Sequence, residues 1–150
     1  MRVVVQRVSQ ASVSIDEKKV ASINEGILVL LGIETQDTKE DSEWLSDKIS
    51  QLRIFSDEDG KMNKSVTEVN GEVIVVSQFT LHAKTKKGNR PSYINAARPE
   101  QAIPLYEQFK KDMSALIGKE VQSGEFASYM KVTLINNGPV TIIIDTKNKE

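Results

Sequence analysis

The 150-residue sequence contains no cysteine, one histidine and one tryptophan, and aromatic residues make up 5% of it. Without a thiol there can be no thiolate nucleophile, zinc–thiolate site, iron–sulfur cluster or disulfide. One imidazole excludes a histidine-rich metal site, and any Ser-His-Asp triad would have to use His82. Neither sign of charge prevails: 20 basic against 21 acidic residues leave a formal charge of −1. That balance argues against a generally cationic nucleic-acid binder but leaves room for a local basic patch. The longest apolar run, Ile27–Leu31, falls far short of the roughly 20 residues of a membrane span. Charge at Arg2 and Arg7 interrupts the N-terminal segment too early for the apolar region of a signal peptide. The expectation is one soluble cytoplasmic domain, with no membrane partner, no cofactor and no metal site.

What is present reads as mixed α/β. Val3–Val5 with Val8, Ala11–Ile15 and Val20–Ile23 are short β-branched segments, and Asp16–Lys19 is a polar turn that suits a hairpin. Gly26 and Gly32 bound Ile27–Leu31 as a fully buried strand; no Gly-Lys-Ser/Thr follows, which disfavours a phosphate loop. Leu45, Ile49 and Leu52 predict a helix over 41–52 with Asp41 or Ser42 at its cap. Asp57–Gly60 lacks the twelve-residue spacing of a calcium loop and reads as a tight turn. Val73–Val76 is a further buried strand. Ala102, Leu105, Phe109, Met113 and Leu116 form the stripe of a second helix, whose regular part starts near Pro104 or is kinked there. Val132–Ile135 and Val140–Ile144 are the last strands, separated by Asn136-Asn137-Gly138-Pro139. The fold class is therefore a single α/β domain of mostly short-connected strands with two main helices.

Three features carry chemistry. Ser77, Gln78 and Thr80 close an apolar strand, where polar groups sit on rigid support. Lys84, Lys86, Lys87 and Arg90 place four positive charges in seven residues, a loop compact enough to attract a phosphate backbone. Gly138-Pro139 lies between two apolar strands, and X-Pro is where cis peptides occur. A serine esterase using Ser77 and His82 and a non-enzymatic RNA-binding module built on the basic loop are the competing readings. Ser77 and His82, five apart on one strand, would point to opposite faces, and a surface histidine at the strand end is the simpler reading of His82.

Taken together, Ser77-Gln78-Phe79-Thr80-Leu81 and Asn136-Asn137-Gly138-Pro139-Val140-Thr141 resemble the two signature motifs of the D-aminoacyl-tRNA deacylases. Further agreement runs from Gln6-Arg7-Val8 through Gly26–Gly32, Arg53–Asp57 and Arg90-Pro91-Ser92 to Gly124-Glu125-Phe126. Departures are small: Asn137 stands where the family often has Asp, Ser123 where Thr is common, and a polar tail, Lys147–Glu150, follows the last strand. The resemblance implies a homodimer that hydrolyses the ester joining a D-amino acid to tRNA and leaves glycine as an achiral substrate. It further implies a cis Gly138-Pro139 pair reaching into the partner's site, held by Arg7. Ser77, Gln78, Phe79 and Thr80 would line that site, and Ala102 and Phe126 would complete the pocket. Catalysis would use the substrate's own 2′-hydroxyl, in keeping with a side-chain inventory that lacks a thiol and a positioned base.

Overall fold

A computed structural model describes residues 1–150. The β-branched N-terminal segments form one strand, β1 (Arg2–Ile15), because they share an edge-to-edge partner along their whole length. Asp16 and Glu17, both at positive φ, turn the chain tightly into β2 (Lys18–Ile23), the two-residue hairpin geometry that matches strand twist. The glycine-bounded run is β3 (Gly26–Gly32), antiparallel to residues 2–8 of β1. It is followed by α1 (Lys39–Gln51), the small hairpin β4 (Phe55–Ser56) and β5 (Met62–Lys64), and β6 (Glu72–Ser77), which runs parallel to β3. Then come α2 (Pro99–Ile117), β7 (Gln122–Ser123) parallel to β6, and β8 (Lys131–Asp145) along the other edge of β1.

Alternation along β3 and β6 divides their residues between two cores. Ile27, Val29, Leu31, Val73 and Val75 face α1 and α2, where Leu45, Ile49, Tyr106, Phe109 and Met113 complete a 20-residue cluster. Leu28, Ile74 and Val76 face the opposite way, joining Val8, Ala11, Val13, Ala21 and Ile23. Met130, Val132 and Leu134 fold over this second cluster. β6 is thus buried on both faces, a rigid support for whatever its C-terminal end carries.

Three boundaries differ from the sequence reading. α1 starts at Lys39 because Thr38 is its cap. Asp41 instead lies one turn in and accepts the Thr38 N–H at 2.9 Å, the reciprocal half of a capping box. α2 begins at Pro99 and runs through Pro104; Pro104 is exposed, so the carbonyl that loses its donor faces water. The last two strands are one, β8, with a bulge: Val8 pairs with Asn136 and Gln6 with Thr141, which leaves Asn137–Val140 opposite Arg7 alone.

Candidate functional site

At the end of β6 the chain leaves the sheet but stays tied to it, since the Gln78 N–H donates to the Leu31 carbonyl at 2.8 Å. It then coils into a single 3₁₀ turn, Phe79–His82. The Phe79 and Thr80 N–H groups open that turn and donate to nothing in the chain, as the first residues of a helical turn must. The Gln78 side-chain amide donates to the Thr80 hydroxyl oxygen. An amide cannot take up a proton, so this contact orients Thr80 without activating it as a nucleophile.

The turn is pinned from below. Arg2 donates to the Leu81 carbonyl at 2.7 Å and forks onto Asp145 at 2.8 and 3.0 Å. Burial works against the charge on Asp145, but the Lys147 N–H and the Arg2 guanidinium outweigh it and hold the carboxyl below its ordinary range. His82 is buried, not on the surface as its position at a strand end suggests. Its Nδ1 lies 3.9 Å from the Glu34 carboxylate and its Nε2 has no partner. It packs so close to Gly32 that a Cβ there would meet its Cδ2 at 3.0 Å. No hydrogen bond joins His82 to Ser77, so the serine–histidine pair of an esterase is not assembled.

A cleft of about 890 Å³ opens beside the strand end, within the size range of small-molecule sites. Ser77, Gln78 and Phe79 form one wall and Phe126, Tyr129 and Met130 another. The Phe126 wall is built on a fixed post, for Tyr106 of α2 packs its ring 5.7 Å from that of Phe126 and donates to the Val75 carbonyl at 3.3 Å. Burial pushes the Tyr106 hydroxyl up to about 12, so it remains a donor at neutral pH. Ala102 does not line the cleft: it faces inward into the helix-side core, and its neighbours Arg98, Pro99 and Gln101 form the surface instead. Tyr93, Ile94, Arg98 and Tyr129 were not legible as site residues, because they sit in aperiodic loops or at a helix start where no motif marks them.

Lys84, Lys86, Lys87 and Arg90 are all exposed and form no ion pair. Their loop is closed by reciprocal backbone bonds between Lys84 and Ser92, at 2.8 and 3.0 Å. The next residue, Tyr93, meets Phe79 edge to face with ring centroids 5.0 Å apart. The basic loop is therefore mechanically continuous with the cleft.

The bulge of β8 stands apart from the cleft of its own chain, and neither Gly138 nor Pro139 lines it. The Gly138-Pro139 bond is cis. Arg7 donates from Nε to the Asn137 carbonyl at 2.8 Å and from Nη1 to the Ile54 carbonyl at 2.6 Å, tying the bulge to the segment before β4. Gly138 has φ +144, and a Cβ there would meet Val140 N at 2.9 Å and Arg7 Nη2 at 3.1 Å. Only glycine fits this conformation and this space.

Comparison with known proteins extends along the whole chain. The D-Tyr-tRNA(Tyr) deacylase family matches residues 4–145. Proteins named D-aminoacyl-tRNA deacylase from Bacteroides fragilis and Flavobacterium psychrophilum are each 63% identical to it over 150 residues, 100% of both chains. Among solved structures, the c-Myc DNA Unwinding Element Binding Protein superposes with a TM-score of 0.92 at 41% identity, covering 97% of this chain and 98% of its own. A probable eukaryotic D-amino acid tRNA deacylase shares the fold, with a TM-score of 0.80 at 17% identity over 95% of this chain and 97% of its own. By sequence over its full length and by the strand-end motif its fold presents, the chain belongs to the D-Tyr-tRNA(Tyr) deacylase family.

Proposed function

We propose that this protein hydrolyses the ester of D-aminoacyl-tRNA, releasing the free D-amino acid and tRNA in the cytoplasm. Full-length identity of 63% to proteins that carry that activity in their names is the observation that carries the reading. In the proposed reaction water attacks the acyl carbon and the bond to the 3′-oxygen breaks. The 2′-hydroxyl of the terminal adenosine relays the proton to the departing oxygen. The developing oxyanion is assigned to the N–H groups of Phe79 and Thr80, which have no competing acceptor in the chain. Ser77, Gln78 and Phe126 shape the space around the acyl group.

Chirality is assigned to the bulge. A homodimer in which Gly138-Pro139 of one protomer enters the cleft of its partner would set backbone carbonyls where an L-side chain must go. The position of the bulge outside its own chain's cleft supports a cross-subunit arrangement. The test is a panel of D-aminoacyl-, L-aminoacyl- and glycyl-tRNAs at one enzyme concentration. Release from the D- and glycyl-tRNAs with retention of the L-esters is expected; binding without release would leave an RNA-binding module. Gly138→Ala should lower the ratio of D- to L-hydrolysis at least tenfold, because its Cβ has no room beside Val140 and Arg7. An unchanged ratio in that variant would remove the bulge from stereoselection.

The basic loop is proposed to steer the acceptor stem. Exposed charges act through a field that salt screens over about 8–10 Å, so neutralising Lys86 and Lys87 should raise KM for tRNA and flatten its salt dependence. Turnover should change less, since neither lysine lines the cleft. Equal salt slopes for the two enzymes would leave the loop as solvated surface.

A further inference from the structure

Large apolar side chains left in water cost free energy, and a soluble surface rarely gathers them in one place without a use. Around the cleft of a single protomer they are gathered: Phe79 is 51%, Ile94 75% and Tyr129 89% exposed, and all three line the opening into which the partner's bulge is proposed to reach. Tyr129 follows closely on Ala127, whose φ of +65 is a left-handed conformation that costs a residue with a Cβ. A phenol ring this exposed cannot enclose a small acyl group. It leaves a large apolar surface at the mouth for something that lies across it.

The neighbouring charge indicates what that is. Four cations without carboxylate partners occupy the loop that closes immediately before Tyr93, and Tyr93 packs on Phe79. Aromatic faces beside unpaired cations are how proteins hold single-stranded nucleic acid, with bases stacked and phosphates neutralised. The 3′ end of a tRNA is such a strand. We infer that Tyr129 is a stacking platform for the nucleobase that precedes the terminal adenosine, holding the unpaired 3′ strand across the cleft mouth with its phosphates toward the Lys84–Arg90 loop. This rests on the proposal that the substrate is D-aminoacyl-tRNA.

The experiment compares wild type, Tyr129→Ala and Tyr129→Phe on two substrates, D-tyrosyl-tRNA and D-tyrosyl-adenosine, the latter lacking the preceding base. Binding of an uncharged RNA hairpin with an unpaired 3′-CCA end is measured alongside by fluorescence anisotropy. Stacking on one aromatic side chain predicts a rise in KM for the tRNA of at least about fivefold in Tyr129→Ala. It also predicts kcat within about twofold, a Tyr129→Phe enzyme close to wild type, and a rise in KM on D-tyrosyl-adenosine clearly smaller than that on the tRNA. The hairpin should bind Tyr129→Ala more weakly by the same factor. An equal KM rise on both substrates would assign Tyr129 to the terminal nucleoside, and no rise on either would make it inert. A shift in sedimentation of Tyr129→Ala towards monomer would make it a contact between copies. Each of these overturns the platform. A wild-type enzyme that hydrolyses neither substrate sinks the deacylase reading, whereas the hairpin arm still decides the platform.

Discussion

A tRNA ending in 2′-deoxyadenosine, charged with a D-amino acid, should bind as tightly as the natural substrate and be hydrolysed a hundred- to ten-thousandfold more slowly. That is the range spanned by a positioned proton-transfer group, and the chain offers no side chain to take its place. Thr80, expected from the motif to line the site, does not line the cleft, and its hydroxyl receives its hydrogen bond from the Gln78 amide. His82, the only imidazole, is buried against Glu34 and Gly32 and bonds to neither hydroxyl of the strand end. The 2′-hydroxyl, by contrast, is held beside the ester by the covalent structure of the ribose. Proximity of that kind can supply roughly 7–11 kcal/mol when the groups are well oriented. Thr80→Ala should then cost no more than an ordinary hydrogen bond, about 0.5–1.5 kcal/mol, or roughly tenfold in rate. Single-turnover hydrolysis of the two tRNAs by wild type and Thr80→Ala separates the possibilities. Normal hydrolysis of the deoxy substrate with a dead Thr80→Ala enzyme, or an acyl group trapped on Thr80, would make the threonine the nucleophile.

How much of this was legible in the sequence depended on whether a residue's role was local. β3 could be read because two glycines bound a continuous apolar run, and the β1–β2 hairpin because its polar turn separates two β-branched segments. Composition points to Asp41 or Ser42 as the cap of α1, whereas Thr38 serves there and Asp41 takes the third helical position. Asn136–Pro139 looks like a turn, so the sequence predicts two strands where β8 is one. The partner strand β1 continues past the bulge and carries the pairing with it, which no local pattern records. The motif Ser77–Thr80 is recognisable as residue types at a strand end, and Ala102 is legible as core from the stripe it shares with Phe109 and Met113, against the pocket role that the family resemblance implies. Strand ends generally face water, which predicts a surface His82; here the chain turns under itself and buries it.

Gly26→Ala should be the most damaging single-methyl change in the molecule. Gly26 pairs with Glu72 where β3 and β6 begin, and a Cβ there would lie 1.8 Å from the Glu72 carbonyl oxygen and 2.7 Å from its carbonyl carbon and amide nitrogen. All three are backbone atoms of a paired strand, so no rotamer relieves the overlap. The β6 origin cannot simply swing aside either, because Gly71 approaches so closely that a Cβ on it would stand 3.4 Å from the Gly26 Cα and 2.9 Å from Val66. Room for the methyl comes only by parting the strands, which strains the ladder that holds Val73–Val76 between two cores. Overpacking alone costs about 1–3 kcal/mol, and lost ladder bonds add to it, so about 3–5 kcal/mol is expected. For a domain of this size that lowers Tm by roughly 6–20 °C. Whatever fraction still folds should be less active than its abundance predicts, since the far end of β6 carries Ser77 and the turn that follows. Gly60→Ala is the control: its φ of +77 makes the substitution strained, yet nothing lies within 4 Å of the added Cβ, so the cost should stay near 1 kcal/mol. Thermal unfolding of both variants, with deacylation normalised to folded protein, tests this. A Gly26→Ala protein that melts within a few degrees of wild type and keeps its specific activity would mean that the β3–β6 origin is soft and does not position the site.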